Sequence, residues 1–131
     1  MVWLDALVAN VDRTARNPNL LIWHGRLWLI DHGAALYPHH ASARFAAQAR
    51  HAFPAIAEHV LLPAAGALGE VDAGLAERLP LPVLAEIVAA VPAAWLEGDE
   101  ARRGQYVEYL AARLTAPRAF PEEAERARRA R

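Results

Sequence analysis

Asp12, Asn17 and Asp31 are the residues whose types and spacing could do chemistry. Asp12 and Asn17 stand five positions apart in the polar run NVDRTARNPN at 10–19, and Asp31 closes an apolar run and is followed by His32 and Gly33. An aspartate beside a hydroxyl can orient it and accept its proton. A loop amide oxygen and a second carboxylate are the hard oxygen ligands that Mg²⁺ prefers. Because Mg²⁺ keeps several waters and shares its shell with nucleotide phosphates, two protein ligands suffice and no dedicated cage is needed. Those are the parts that phosphoryl transfer requires. Arg13 and Arg16, in the same loop, are candidate phosphate or substrate contacts, and a buried pairing with a carboxylate accounts for either equally well. Taken singly, the three residues also have plain structural explanations: Asp12 opening an Asx turn, Asn17 preceding a proline in a loop, Asp31 capping a strand.

The elements around them must bring the three together. Trp3, Leu4, Leu7, Val8 and Val11 recur at helical spacing, so the opening segment is expected to be a short amphipathic helix. Pro18 disfavours helical geometry at Asn17 and makes 10–19 a loop. Two apolar runs, 20–23 and 26–30, flank His24-Gly25, and a tight reversal there predicts a β-hairpin that returns Asp31 toward the loop. Gly33 lets the backbone turn sharply after it. Beyond Ala41 the sequence turns to Ala, Leu, Val and Arg at helical spacing, punctuated by Pro54, Pro63, Pro80, Pro82, Pro92 and Pro117. This predicts helices at 42–52, 54–62, 72–79, 81–91 and 99–115, then a charged, helical tail over 121–131 that frays from the body. The expected fold is mainly α with a small β-hairpin. Residues 1–120 form one unit, with 1–40 holding the loop, hairpin and Asp31 motif and 41–120 the helical body.

Composition narrows the function classes. A chain of 131 residues supports one hydrophobic core, and 55% apolar residues with a net charge of −1 argue against disorder and against a global basic field for nucleic acid. Every cation is Arg, so lysine-dependent chemistry is excluded within the chain; with no Cys, so are thiolate catalysis and cysteine-ligated zinc. Neither a basic leader with a long apolar run nor an apolar stretch of about 18 residues is present, so a cytoplasmic location and no membrane partner are expected.

Several other residues carry weaker signals. His24 and the His39-His40 pair suggest zinc but lack any HExxH spacing, so hydrogen-bonded or solvated imidazoles are the expectation. Trp23 and Trp28, on opposite strands, could stack on a base, although cross-strand packing explains them as well. Ser42 is the only serine and has no nucleophile elbow around it. The basic end AERARRAR is expected to be a solvated face.

The order DRTARN, hairpin, IDHG resembles the DRHxxN and IDFG pairing of phosphatidylinositol 3- and 4-kinases and the corresponding loop of HipA-like kinases. The resemblance covers about the first quarter of the chain. It implies a protein-kinase-like C-lobe in which Asp12 is the catalytic-loop aspartate, Asn17 and Asp31 are metal ligands, and Mg²⁺ and ATP are the cofactors. Arg13 matches the arginine of DRH. Thr14 stands in place of the histidine, which bears on phosphate contacts, and His32 in place of the phenylalanine, which bears on packing. The resemblance further implies an N-terminal lobe with a glycine-rich phosphate cover and a lysine, neither of which these 131 residues contain. The expected function is thus an ATP- and Mg²⁺-dependent phosphotransferase without its N-lobe, its acceptor a protein or other hydroxyl. A partner chain or missing lobe would complete it, and it would leave an exposed apolar patch near Trp3, Leu4 or Trp28. The alternatives are a non-catalytic helical interaction module derived from a kinase-like fold and a helical regulatory protein with an accidental likeness.

Overall fold

The computed structural model describes residues 1–41, 45–96 and 99–131. It is mainly helical with one two-stranded antiparallel sheet, as the sequence pattern predicts. Helix α1, Val2–Leu7, buries Val2, Trp3, Ala6 and Leu7 on one face, together with Asp5. Strands β1, Leu20–Trp23, and β2, Arg26–Leu29, pair in the register Leu20↔Leu29 to Trp23↔Arg26. His24 at φ 49° and Gly25 at φ 69° form the two-residue turn. Positive φ at both central positions is what the right-handed twist of a hairpin selects. A short helix α2, Pro38–Ala41, follows.

The helices expected over 42–52 and 54–62 are not α-helices. Residues 42–44 lie outside the described residues; the rest form 3₁₀ turns at Phe45–Gln48, Pro54–Glu58 and Leu62–Ala64. Pro54 and Pro63 each remove an N–H and divide the run into pieces too short for sustained i→i−4 bonding. Helix α3, Leu68–Glu77, starts four residues before the expected position. The reason is a cap supplied from far along the chain: the Leu68 N–H donates to Glu125 at 3.1 Å. Helices α4, Leu81–Ala89, and α5, Ala101–Leu114, lie within two residues of expectation.

The expected charged tail is instead an integral helix, α6, Ala119–Arg129, with Phe120, Pro121 and Ala124 buried. It packs against α1, α3 and the 54–58 turn. Trp3 meets Phe120 edge-on at 5.4 Å and donates its indole N–H to Asp72 at 2.8 Å, and Arg118 grips the same carboxylate at 2.7 Å. The outer face does behave as the solvated surface expected: Arg126 pairs with Glu123, while Arg128 and Arg129 pair with Glu125. Arg128, Arg129 and the Leu68 N–H together hold the Glu125 carboxyl far below the ordinary carboxylate range. Arg113 joins the layers: its guanidinium, buried at 4% exposure, donates to Ala6 O at 2.6 Å, Ala49 O at 3.0 Å and His51 O at 3.2 Å. Among the described residues no helix is long and apolar enough to cross a membrane.

Phe120 distinguishes an integral helix from a loose tail. Phe120→Ala should destabilise the chain by about 3–5 kcal/mol in urea unfolding, the cost of emptying a core aromatic position, whereas a residue on a frayed tail would change stability by less than about 0.5 kcal/mol.

Candidate functional site

The loop at 10–19 is shaped by its own polar groups. Thr14 N–H donates to Asp12 O at 3.0 Å and to Asn17 O at 3.1 Å, and Thr14 Oγ1 accepts from Asn17 N–H at 3.3 Å. This turn brings Asn17 back onto Asp12: the Asn17 amide donates to Asp12 Oδ2 at 2.7 Å, and the Asn19 amide donates to the same oxygen at 3.2 Å. Asp12 Oδ1 and Asn17 Oδ1 have no hydrogen-bond partner among the described residues, so one oxygen of each stays available to a ligand.

Asp31 reaches the neighbourhood through the hairpin. Ile30 N–H donates to Asn19 O at 3.0 Å, so the ladder extends one pair beyond its last strand residues, and Asp31 leaves it next. Asn17 lies two residues before Asn19 on the facing chain. Asp31 has φ 48°, and its Oδ1 accepts the Gly33 N–H at 3.3 Å. A Cβ at position 33 would come within 3.3 Å of that oxygen, which gives Gly33 a packing reason as well as a turning one. Asp31 and Asn17 are exposed and Asp12 is half-buried.

Arg13 does not face a substrate. It is 1% exposed, its Nε donates to Asp5 Oδ2 at 2.7 Å, and its Nη1 donates to Asn19 O and, at 3.3 Å, to Ile30 O. The buried carboxylate pairing is therefore the correct account of Arg13, because no part of a fully buried guanidinium could meet a phosphate in solution. Arg16 is exposed.

Behind the loop lies a polar cluster that sequence reasoning missed. Asp5, with no exposure, accepts from Asn10 Nδ2 at 3.0 Å on one oxygen, and from Arg13 and His59 Nε2 (2.9 Å) on the other. Because His59 Nδ1 accepts the Leu61 N–H at 3.1 Å, the imidazole proton sits on Nε2 and points at Asp5. Asn10 also accepts the Asp12 N–H at 3.2 Å, and Val60 N–H donates to Arg13 O at 3.0 Å beside a Thr14–His59 β-bridge. An Asp within an apolar helix turn is a visible signal for a buried partner. Nothing local marks His59 as that partner, 54 positions away.

The remaining candidates resolve into packing. His39 Nδ1 bonds the Tyr106 hydroxyl at 3.1 Å and its ring packs on Phe45, while His24 is exposed against Trp23. The side chains of His40 and Ser42 fall outside the described residues. Trp23 and Trp28 contact each other at 5.9 Å and are 57% and 45% exposed. With Leu21 and Ile30, also exposed, they make a solvent-facing apolar surface near the site. Trp28 and Leu4 are exposed, at 45% and 39%, whereas Trp3 is buried under α6. Among the described residues there is no group of three or more His, Cys, Asp or Glu that could hold a metal. No family model matches the chain, and no curated protein or solved structure shows significant similarity to it.

Burial pushes the Asp5 carboxyl up, but the bonds from His59, Asn10 and Arg13 and the Arg13 charge outweigh it and hold it below the ordinary 3.8. A folded-state value below the unfolded one adds stability that is complete above about pH 4 and is lost as pH falls through the folded value. Urea unfolding between pH 7 and 2.5 should show this acid decline in the wild-type chain. Asp5→Asn should be less stable at pH 7 by about 3–5 kcal/mol, having left a buried guanidinium unpaired, and should show a shallower acid slope.

Proposed function

We propose that this chain is the C-lobe portion of an ATP- and Mg²⁺-dependent phosphotransferase of the HipA-like or phosphatidylinositol-kinase-like type, transferring phosphate to a hydroxyl of a protein or other alcohol. The observation that carries this reading is the arrangement of Asp12 and Asn17 in direct contact on a loop whose backbone is tied, through Arg13, to the strand end that presents Asp31. Asp12, with one oxygen pinned by two amides, would orient the acceptor hydroxyl and take its proton through the other.

The donor set suits Mg²⁺ in one specific way. Asn17 Oδ1 and the Asp31 carboxylate are hard oxygens without the third acidic ligand of a self-sufficient site, and a metal that arrives with nucleotide phosphates needs only such a pair. Bound there, Mg²⁺ would neutralise charge on the phosphates. Asn17 and Asp31 would hold it, and Asp12 would position the acceptor. The phosphate cover and lysine would come from an N-terminal lobe or partner chain, and the exposed apolar hairpin favours a second body seated on it. That same surface supports the alternative, a non-catalytic interaction module that keeps a kinase-like architecture.

The two aspartates should fail differently when the chain is joined to a phosphate-binding lobe. Asp31→Ala should weaken Mg²⁺-ATP binding measured by calorimetry. Asp12→Ala should leave that binding largely intact and lower phosphate transfer by about 10²-fold or more. Wild-type transfer by both variants, with folding confirmed by circular dichroism, would refute the site. Equal loss of nucleotide binding in both would refute the division of roles.

A further inference from the structure

We infer that His59 is a positioning residue for the Asn17 and Asp31 metal ligands, acting through Asp5 and Arg13; this rests on the phosphotransferase reading above. His59 is 3% exposed, and its ring bonds Asp5 and the Leu61 N–H. Its influence runs along a chain of hydrogen bonds that is buried at Asp5 and part-buried at its far end. His59 Nε2–H donates to Asp5 Oδ2, which also receives Arg13 Nε–H, and the far end of the same guanidinium donates to Asn19 O and Ile30 O. Those two carbonyls sit at the open end of the hairpin, one residue outside each strand, with Asn17 and Asp31 just beyond them.

The guanidinium is rigid and planar, so fixing Nε fixes where Nη1 lies. Asp5 alone does not fix Nε. A carboxylate at the end of a side chain can rotate, and here Asn10 holds one oxygen while His59 and Arg13 share the other. Without His59, Oδ2 keeps the Arg13 bond and loses the donor that sets its direction. The backbone reinforces the link: the Thr14–His59 bridge and the Val60 N–H to Arg13 O bond seat the 59–60 segment directly against the loop. Segment 54–64 thereby reports on the site although it contributes no ligand to it.

Two substitutions separate this role from general packing. H59N keeps a short acceptor for the Leu61 N–H but cannot reach Asp5, whereas H59Q places an amide N–H where Nε2 stood. Amide hydrogen exchange of the full 131-residue chain gives the first readout. In H59N, Ile30 should exchange at least about tenfold faster while Ala90, bonded to Glu86 O in α4, changes far less; H59Q should restore Ile30 to within about twofold of wild type. The second readout is Mn²⁺ presented together with ATP, since the proposed site takes its metal with nucleotide phosphates. It should selectively broaden the Asn17 and Asp31 amides in the wild-type chain, at least fivefold more weakly in H59N and equally in H59Q. Wild-type Mn²⁺ binding with Ile30 exchange and Mn²⁺ affinity unchanged in H59N overturns the positioning role and leaves the proposed function standing. Absence of broadening at Asn17 and Asp31 in the wild-type chain overturns both. If H59N does not fold, H59Q decides: values within about twofold of wild type support the role, and tenfold faster Ile30 exchange overturns it.

Discussion

The carboxylate of Asp5 is the group on which the arrangement of the site depends. An ionised carboxylate with no exposure is costly unless its lone pairs are filled, and here three donors from two distant stretches of chain fill them: Asn10 and Arg13 from the loop at 10–19, and His59 from the 3₁₀ region. The attraction between Asp5 and Arg13 is not itself a large net gain, since both groups give up water. What the pairing provides is direction. Once Asp5 is committed, Arg13 has one low-energy placement, and that placement delivers its outer nitrogen to Asn19 O and Ile30 O, joining helix, loop and hairpin around one buried atom cluster.

This explains why the hairpin holds its position with so little apolar burial. A lone two-stranded sheet is marginal in water, and here Leu21, Ile22, Trp23, Leu27 and Trp28 are all at least 41% exposed. Only Leu20 and Leu29, at the end nearest the loop, are half-buried. The register puts Leu20, Ile22, Leu27 and Leu29 on one face and Leu21, Trp23 and Trp28 on the other. Leu27 borders an open apolar pocket of 540 Å³ shared with Met1, Val2, Leu61, Leu68 and Val71. On the outer face Trp23 packs against Trp28 and His24. The hairpin is anchored at its base by hydrogen bonds and presents apolar side chains along its length.

What could be read from the sequence was what is decided locally. The hairpin follows from His24-Gly25 between two apolar runs, and the approach of Asn17 to Asp12 from a five-residue spacing closed by proline; both depend on residues within one turn of chain. Helices α4 and α5 were legible for the same reason, as periodic runs bounded by Pro80 and by Pro92 and Pro117. Three of the failures involve distant partners. Helix α3 begins early because Glu125 caps it, α6 is a core helix because Trp3 and Arg113 receive Phe120, and Arg13 is buried because Asp5 and His59 meet it. Charged composition made 121–131 look like a tail, yet the charges lie on one side of α6 and pair among themselves. Two prolines within ten residues outweighed the helical periodicity of 54–62.

Backbone geometry at the two ends of the hairpin base adds a further constraint. Asn19 and Asp31 both adopt left-handed conformations, at φ 48° each, and flank the two carbonyls that Arg13 holds. Among residues with a side chain, Asn and Asp reach this region at least cost, so the backbone alone narrows the choice at both positions. Their side chains are then used as well: Asn19 donates to Asp12, and Asp31 stands exposed beside Gly33 with one oxygen uncommitted. Replacing either by an apolar residue would therefore strain the turn and remove a polar group at the same time. The left-handed positions at the open end of the hairpin thus place the Asn19 amide against Asp12 and the Asp31 carboxylate at the surface.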